Sequence, residues 1–502
     1  MSIFNNNILA GAASQSTTTP VHTIDQSIRF NALDNPYMSK AFSSKGSPKK
    51  FTLSWWTKLG ERTTSATSES QMFFIAYHSG GYQTDFSIQS AARAGGVAHT
   101  FRTYSVTTGG GAVWNFTTTQ LFRDPSAWYN FVVVSDTDNA VQTERFRLYI
   151  NGQRVTDFST ATYPSSGVEP VWNNSTSVTH YVGSRAGNTN TRFDGYMAEM
   201  VHIDGQALDP SSFGETNSSG IWVPKDVSGL TFGTNGFHID GRDSADLGDD
   251  ESGQGNDFTT SGLAAHDQML DSPSNNFCTI NSVYTDNSSQ VTFDAGTLSN
   301  GNLVYVGSNN TYSVKGFTFD LPKSGKWYFE YMIGGNSDGF GFVKQGEQGT
   351  INASNGPGQL SVAQGGGIQY TGWRNNGNFT VNFADTNTGS PFTAGFIHQV
   401  AIDVDNGKFF YGVKNTYYAA DTGSDGNPSA GTNETSTFAF STTDVVLLAG
   451  NYTGTQYWNF GQDGTFAGQQ TAQGNSDANG VGNFYYAPPT GYLALCTKNL
   501  GS

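Results

Sequence analysis

From Ile24 onward the chain alternates apolar and polar residues with a period of two. The segments IDQSIRF (Ile24 to Phe30) and FTLSWWTK (Phe51 to Lys58) put every second side chain on one apolar face. That is the signature of half-buried β-strands. MFFIAY (Met72 to Tyr77), WYNFVVVSD (Trp128 to Asp136), RFRLYING (Arg145 to Gly152) and FDGYMAEMVHIDG (Phe193 to Gly205) continue it, separated by Gly, Asn and Asp turns. Asn151-Gly152 predicts a tight hairpin, because both residues accept the positive φ that such a turn requires. A second alternating set starts near Val291. It includes KGFTFDLP (Lys315 to Pro322), GKWYFEYMI (Gly325 to Ile333), DGFGFV (Asp338 to Val343), HQVAIDVDNGKFFYGV (His398 to Val413), TDVVLLAG (Thr443 to Gly450) and QYWNFGQDG (Gln456 to Gly464), with Asn406-Gly407 at a hairpin tip. No long helical period occurs, and the two halves are not copies of each other.

These patterns predict an all-β chain of two β-sandwich, jelly-roll-like domains, over residues 23–215 and 291–502. Residues 1–22 form a polar N-terminal tail with two apolar spots, Ile3-Phe4 and Ile8-Leu9, expected to dock into a partner as an anchor. Over residues 216–290 the alternation fades and acidic turn residues crowd together, notably from Asp240 to Phe258. This stretch reads as an irregular acidic bridge, pinned to a neighbouring module by Trp222, Phe232, Phe237 and Phe258.

Composition supports the strand reading. Charged residues make up only 13% of the 502 residues, Gly numbers 61, and the helix formers Lys, Glu, Arg and Leu are scarce. A length of 502 residues exceeds what one core usually organises. The net charge of −16 repels phosphate backbones, which excludes nucleic acid as an expected partner. No run of residues is long and apolar enough for a membrane helix, and the first residues lack the basic and apolar regions of a signal peptide. Cys278 and Cys496 match no metal or redox spacing and read as free, partly buried thiols.

The order FTLSWWTKLG, WYNFVVVSD, FRLYINGQRV and FDGYMAEMVHIDGQAL resembles the laminin G-like or concanavalin A-like lectin sandwich. GKWYFEY, DGFGFV, VAIDVDNGKFFYGV, YWNFGQDGTF and PPTGYLALC resemble a SPRY-type sandwich. Their pairing behind the tail IFNNNILAGA (Ile3 to Ala12) is similar to virion structural proteins of tailed, particularly marine, bacteriophages. The resemblance implies location on a virion, as a tail fibre, spike or head decoration. It implies that the tail binds other virion proteins and that the lectin-like sandwiches touch host-surface glycans for host attachment. A homo-oligomer, a trimer by analogy with fibres, is the expected assembly. Two further readings stand beside this one: a purely structural protein that decorates or cements the particle, and an enzyme degrading surface polysaccharide.

Hydrolases of the lectin-like class place Glu-x-Asp-x-(x)-Glu on one strand, so that two carboxylates flank the sugar. Glu144, Glu199 and Glu330 each lack such a partner in sequence. No enzyme is therefore expected, and Glu199 reads as a structural acid of its strand. His202, His238 and His398 have no nucleophile motif beside them and read as core or solvated histidines. The cluster Asp240 to Glu251 offers oxygens for calcium, which laminin G-like sandwiches often carry at a rim. Its spacing does not match an EF-hand loop, so calcium stays unassigned and no metal ligand or other cofactor is named. Trp114, Trp172, Tyr370, Trp373 and Tyr452 lie among polar residues and are the candidate aromatic platforms for a glycan. Trp55, Trp128, Trp327 and Trp458 sit in alternating strands and are expected in the cores.

Overall fold

In the computed structural model nearly every regular element among the described residues is a β-strand, and their helical turns are short 3-10 turns. It describes residues 22–61, 70–89, 99–186, 188, 190–283, 296–307, 313–334, 338–345, 351–352, 361–362, 370–372, 379–381, 384–386, 394–419, 425–437, 439–442, 444–451 and 454–500. The tail positions Ile3, Phe4, Ile8 and Leu9 lie outside the described residues, as do Trp373 and Tyr452. The chain divides into two compact units, with the boundary between Ser274 and Asn275.

The strands of the first unit are β1 (Ser27–Phe30), β2 (Tyr37–Ala41), β3 (Lys50–Leu59), β4 (Ser70–His78), β5 (Gln83–Gln89), β6 (Thr100–Val106), β7 (Ala112–Leu121), β8 (Trp128–Asp136) and β9 (Phe146–Ile150). They continue as β10 (Gln153–Arg154), β11 (Phe158–Thr162), β12 (Val178–Val182), β13 (Gly195–Asp204), β14 (Gly214–Thr216), β15 (Trp222–Pro224), β16 (Phe237–Ile239), β17 (Thr259–Ser261) and β18 (Gln268–Met269). One sheet runs β10-β9-β8-β3-β13-β1-β18, with β16 also paired to β13. The other runs β11-β7-β6-β5-β4-β12-β2-β17. The Asn151-Gly152 turn forms as expected: both residues have positive φ, 47° and 75°, and Ile150 pairs with Gln153 across it.

One core joins the sheets. Ile28, Leu53, Trp55, Phe131 and Met197 come from the first, and Met38, Phe74, Phe86 and Phe116 from the second. Trp55 stacks on Phe131 at 5.2 Å and meets Phe73 and Phe74 within 5.4 Å. Each such side chain contributes about 1.5–3 kcal/mol on burial. The run Val132-Val133-Val134 breaks alternation because the first sheet is covered on both faces. Val133 enters the shared core. Val132 and Val134, with Tyr149, Val201 and Ile203, pack on the outer face under Phe213, Val227 and Phe232.

That covering layer moves a boundary. Residues 216–274, expected as a bridge, are part of the first sandwich. β16 and β18 extend its first sheet and β17 its second, while Phe237, Ile239 and Phe258 lie in its core. Two buried ion pairs stitch the segment down: Arg29 to Asp267 at 3.2 Å and Lys58 to Asp271 at 2.7 Å. The anchors Phe232, Phe237 and Phe258 are buried as expected; Trp222 is partly buried, and its Nε1 donates to Asn130 at 3.0 Å. The acidic residues shape turns. Asp250 accepts from the backbone N–H groups of His238, Ser252 and Asn256, and Asp240, Asp243 and Asp246 each accept from the N–H two residues on.

The second unit, residues 275–500 of those described, begins with β19 (Thr297–Ser299), β20 (Val304–Val306), β21 (Ser313–Gly316), β22 (Lys326–Ile333), β23 (Asp338–Lys344), β24 (Ile351–Asn352), β25 (Ser361–Val362), β26 (Tyr370–Gly372) and β27 (Phe379–Val381). It ends with β28 (Ala384–Thr386), β29 (Ile397–Asp403), β30 (Lys408–Val413), β31 (Thr416–Tyr418), β32 (Ser436–Thr437), β33 (Val445–Asn451), β34 (Thr455–Asn459) and β35 (Leu493–Ala494). One sheet runs β19-β20-β34-β22-β29-β30-β31, with β32 beside β30 and β35 beside β22; another runs β21-β33-β23-β26-β27-β28. Phe329 of β22 and Phe340 of β23 meet at 5.3 Å, and Phe317 packs on Trp458 at 4.8 Å, which ties the two sheets together. Asn406-Gly407 does sit at the β29–β30 tip, in a four-residue loop closed by the Asp403–Lys408 pair. Cys278 and Cys496 form no disulfide and are fully buried.

Candidate functional site

The second sheet of the first sandwich turns one face to the core and the other outward, and its two-residue period decides which side chains go where. Phe74, Phe86, Thr103 and Phe116 point inward and are buried. The row on the opposite face, read across by register, is Ser39, Tyr181, Ile75, Asp85, Tyr104 and Asn115, of which Ile75 and Asp85 are buried. Beside it run Ser87, Arg102 and Thr117, while Tyr37 and Tyr77 occupy neighbouring positions of the same face. Tyr37, Tyr77, Tyr104 and Tyr181 are all partly exposed.

The rings are held by polar neighbours. Arg185 lies over Tyr77 at 4.3 Å and Arg102 over Tyr104 at 5.0 Å, both cation–π contacts. Tyr37 and Tyr181 meet edge to face at 6.0 Å. Asp85 is buried, accepts from Gln83 Nε2 at 2.6 Å and faces Arg102 at 3.7 Å. Phenol faces, a guanidinium and an amide on one surface suit a polyhydroxylated ligand: rings cover its C–H faces, and the polar groups exchange hydrogen bonds with its hydroxyls. Thr119 and Gln120 of β7 also line a cleft of about 580 Å³ with Ile150, Asn151, Arg154 and Asp157, within the range of small-ligand sites.

Two expected platforms are elsewhere. Trp114 and Trp172 are buried in the core, so neither presents a surface ring. Their polar sequence neighbours reflect strand alternation and buried hydrogen bonding. Trp114, Phe116 and Thr118 of β7 all point inward, and Trp114 Nε1 donates to Thr103 Oγ1 at 2.9 Å. Trp172 Nε1 donates to His202 Nε2 at 3.0 Å, so the His202 proton sits on Nδ1 and is donated to the Asn235 carbonyl at 2.9 Å. Burial keeps His202 neutral, and burial, with a smaller contribution from His202, pushes His180 down to about 3. Around them Asn173 Nδ2 donates to Asp204 Oδ1 at 2.7 Å, and Asn235 Nδ2 donates to Asn173 Oδ1 at 2.6 Å. This network closes one end of the sandwich. Tyr370 lies in β26, paired with Phe342 and Val381.

The three glutamates weighed as catalytic acids lie in separate settings. Glu144 pairs at 2.8 Å with Arg154, whose hydrogen bond holds its carboxyl below the ordinary range. Glu199 occupies a β-bulge of β13 with φ +48° and meets His238 Nε2 at 2.5 Å. Burial opposes the His238 charge, yet the hydrogen bond and charge of Glu199 outweigh it and raise the imidazole above its usual range. Glu330 is buried in the second unit. Among the described residues no group of three His, Cys, Asp or Glu side chains is placed to hold a metal ion. None of their helices is long and apolar enough to cross a membrane.

A model of the concanavalin A-like lectin/glucanases superfamily matches residues 35–212, within the first sandwich. Comparison with curated proteins finds no match. Among solved structures, a heptameric SAP-like pentraxin of Limulus polyphemus is 14% identical, with 38% of this chain and 80% of that one covered and a TM-score of 0.27. Domains LG4-5 of the mouse laminin alpha1 chain are 10% identical, covering 88% and 90% of the two chains with a TM-score of 0.26. The PSpry domain of TRIM65 is 13% identical, covering 36% and 91% with a TM-score of 0.24. None of these likenesses bears on what this chain binds.

Proposed function

We propose that the chain is a non-enzymatic virion appendage protein, anchored to other virion proteins by residues 1–22, that binds host-surface glycan on the outward face of the second sheet of its first sandwich. One observation carries the binding part: Tyr37, Tyr77, Tyr104 and Tyr181 stand partly exposed on one sheet face among Asp85, Arg102 and Asn115. The lectin/glucanase superfamily match over residues 35–212 supports it. The virion part is supported by the resemblance of the tail and the module order to phage structural proteins. The non-catalytic part is supported by the separate settings of Glu144, Glu199 and Glu330.

Binding of the full chain to a glycan array and to host cells tests the reading. Tyr77→Ala and Tyr104→Ala should each weaken binding about tenfold or more, roughly what losing one well-packed ring contact costs. Wild-type protein that binds neither glycan nor cells leaves a purely particle-decorating role. Deletion of residues 1–20 should leave a folded chain that no longer joins particles; continued incorporation refutes the anchor.

A further inference from the structure

The second sandwich carries an aromatic patch that the lectin-like face does not explain. Tyr457, Tyr485 and Tyr486 are partly exposed and pack on buried Met332, Ile397 and Phe466. Tyr485 and Tyr486 stand edge to face with ring centroids 5.0 Å apart, so their ring faces point in different directions. Gln470 sets an amide beside them, its Nε2 3.4 Å from Met332 Sδ.

The tyrosine pair is held from beneath by a buried carboxylate. Glu330 accepts the backbone N–H of Tyr485 and of Tyr486, each at 2.8 Å, the hydroxyl of Tyr328 at 2.8 Å and Asn459 Nδ2 at 3.4 Å. Asn475 Nδ2 donates to the Tyr485 carbonyl at 2.8 Å, and Phe484 packs edge-on against Tyr328 at 5.0 Å. Burying a carboxylate is expensive, and four donors are what offsets it. Backbone fixed in this way holds the two tyrosines side by side, so less order is lost when a ligand settles on their rings.

We infer that Tyr457, Tyr485 and Tyr486 form a second saccharide-stacking site, with Glu330 as the positioning residue that presents the tyrosine pair. The ligand class follows from the surface. Phenol rings offer π faces to the C–H side of a pyranose, and the hydroxyls and the Gln470 amide offer neutral hydrogen bonds. The inference rests on the glycan-binding reading for its ligand class alone, because the residues that carry it belong to the other sandwich.

Glu330 gives the site a second readout. Burial pushes its carboxyl up to about 7 against the four donors. The other titratable groups facing it are the phenols of Tyr328, Tyr417 and Tyr486, all raised by burial and therefore neutral in that range. Protonation turns one acceptor oxygen into a donor opposite an N–H or O–H group and loosens the pair.

The test is saturation-transfer NMR on the full chain with chitotriose, cellotriose and maltotriose as probes. The Tyr104→Ala chain, impaired on the first face, should retain binding of at least one trisaccharide; adding Tyr486→Ala should weaken that residual binding about tenfold or more. Residual binding in wild type and Tyr104→Ala should also weaken as pH falls through about 7, whereas Glu330→Gln should stay weak at every pH, because its amide opposes the same N–H groups. If Tyr104→Ala abolishes all binding, or Tyr486→Ala changes nothing, the second site is refuted while the first stands. A wild-type chain that binds none of the probes refutes both sites for this ligand class. Unchanged binding by Glu330→Gln refutes the positioning role.

Discussion

Asp271 lies 213 residues beyond Lys58 in the chain, yet the two form a salt bridge of 2.7 Å with side chains 0% and 1% exposed. Asp271 also accepts Trp128 Nε1 at 3.0 Å, and its backbone carbonyl accepts Ser27 Oγ at 2.6 Å. If residues 216–274 are integral to the first sandwich, Asp271→Ala removes the carboxylate that pairs with a buried ammonium. Breaking a buried pair from one side costs about 3–5 kcal/mol. In a unit of this size that lowers the melting temperature by roughly 6–20 °C. Calorimetry on the full chain should show one transition moving by that amount and the other unmoved. The double change Lys58→Met with Asp271→Leu should recover most of the loss, because a well-packed apolar pair can replace a buried ionic one. A shift below about 1 kcal/mol for Asp271→Ala would mean that the segment only rests on the sandwich, and the reassigned boundary would fall.

A chain comprising residues 22–274 should fold cooperatively, whereas one ending at 215 should bind a hydrophobic dye and be rapidly digested, since it uncovers Val132, Val134, Val201 and Ile203 and lacks core residues Phe237, Ile239 and Phe258. Acidification should destabilise the protein through His180 and His398. Burial pushes both down to about 3, below the ordinary value near 6.5, so the unfolded chain takes up protons first and stability falls from about pH 6.5 toward 3, as urea midpoints across that range will show. Glu330 acts with the opposite sign: raised to about 7, it favours the folded state at low pH and loses that contribution as pH rises through 7, a dependence that Glu330→Gln should remove. Cys278 and Cys496 should resist alkylation until the second sandwich unfolds, because both are buried and burial pushes the Cys496 thiol up to about 12.

Strands with a clean apolar face were readable from the chain alone. β3, β9, β13, β22, β29 and β30 match, to within two residues at either end, segments whose alternation predicts them, and the Asn151-Gly152 turn follows from residue chemistry. In the second sheet of the first sandwich β4 is legible as MFFIAY, but β5, β6 and β7 are not. In β5, β6 and β7 the inward positions include Thr84, Thr103, Ser105 and Thr118, so both faces look polar in sequence. The same strands carry the candidate site, so the polar surroundings that point to Trp114 as a surface ring belong to its neighbours Tyr104 and Asn115 on the other face. A usable signal was present in TFRTYSV, where Arg102 and Tyr104 alternate with Phe101 and Thr103. Residues 216–274 misled for a related reason: β16, β17 and β18 hold only two or three residues each, too few for a period to show, and their placement depends on pairings with β13, β2 and β1 far back in the chain.

Whether the tyrosine face of the first sandwich binds glycan is answered most directly by a crystal structure of the chain soaked with the strongest ligand from the array. The account predicts sugar density on the outward face of β4, β5, β6 and β12, with a ring against Tyr77 or Tyr104 and hydroxyls within hydrogen-bond distance of Arg102 or Asn115. Density confined to other surfaces, with these tyrosines uncontacted, would contradict it.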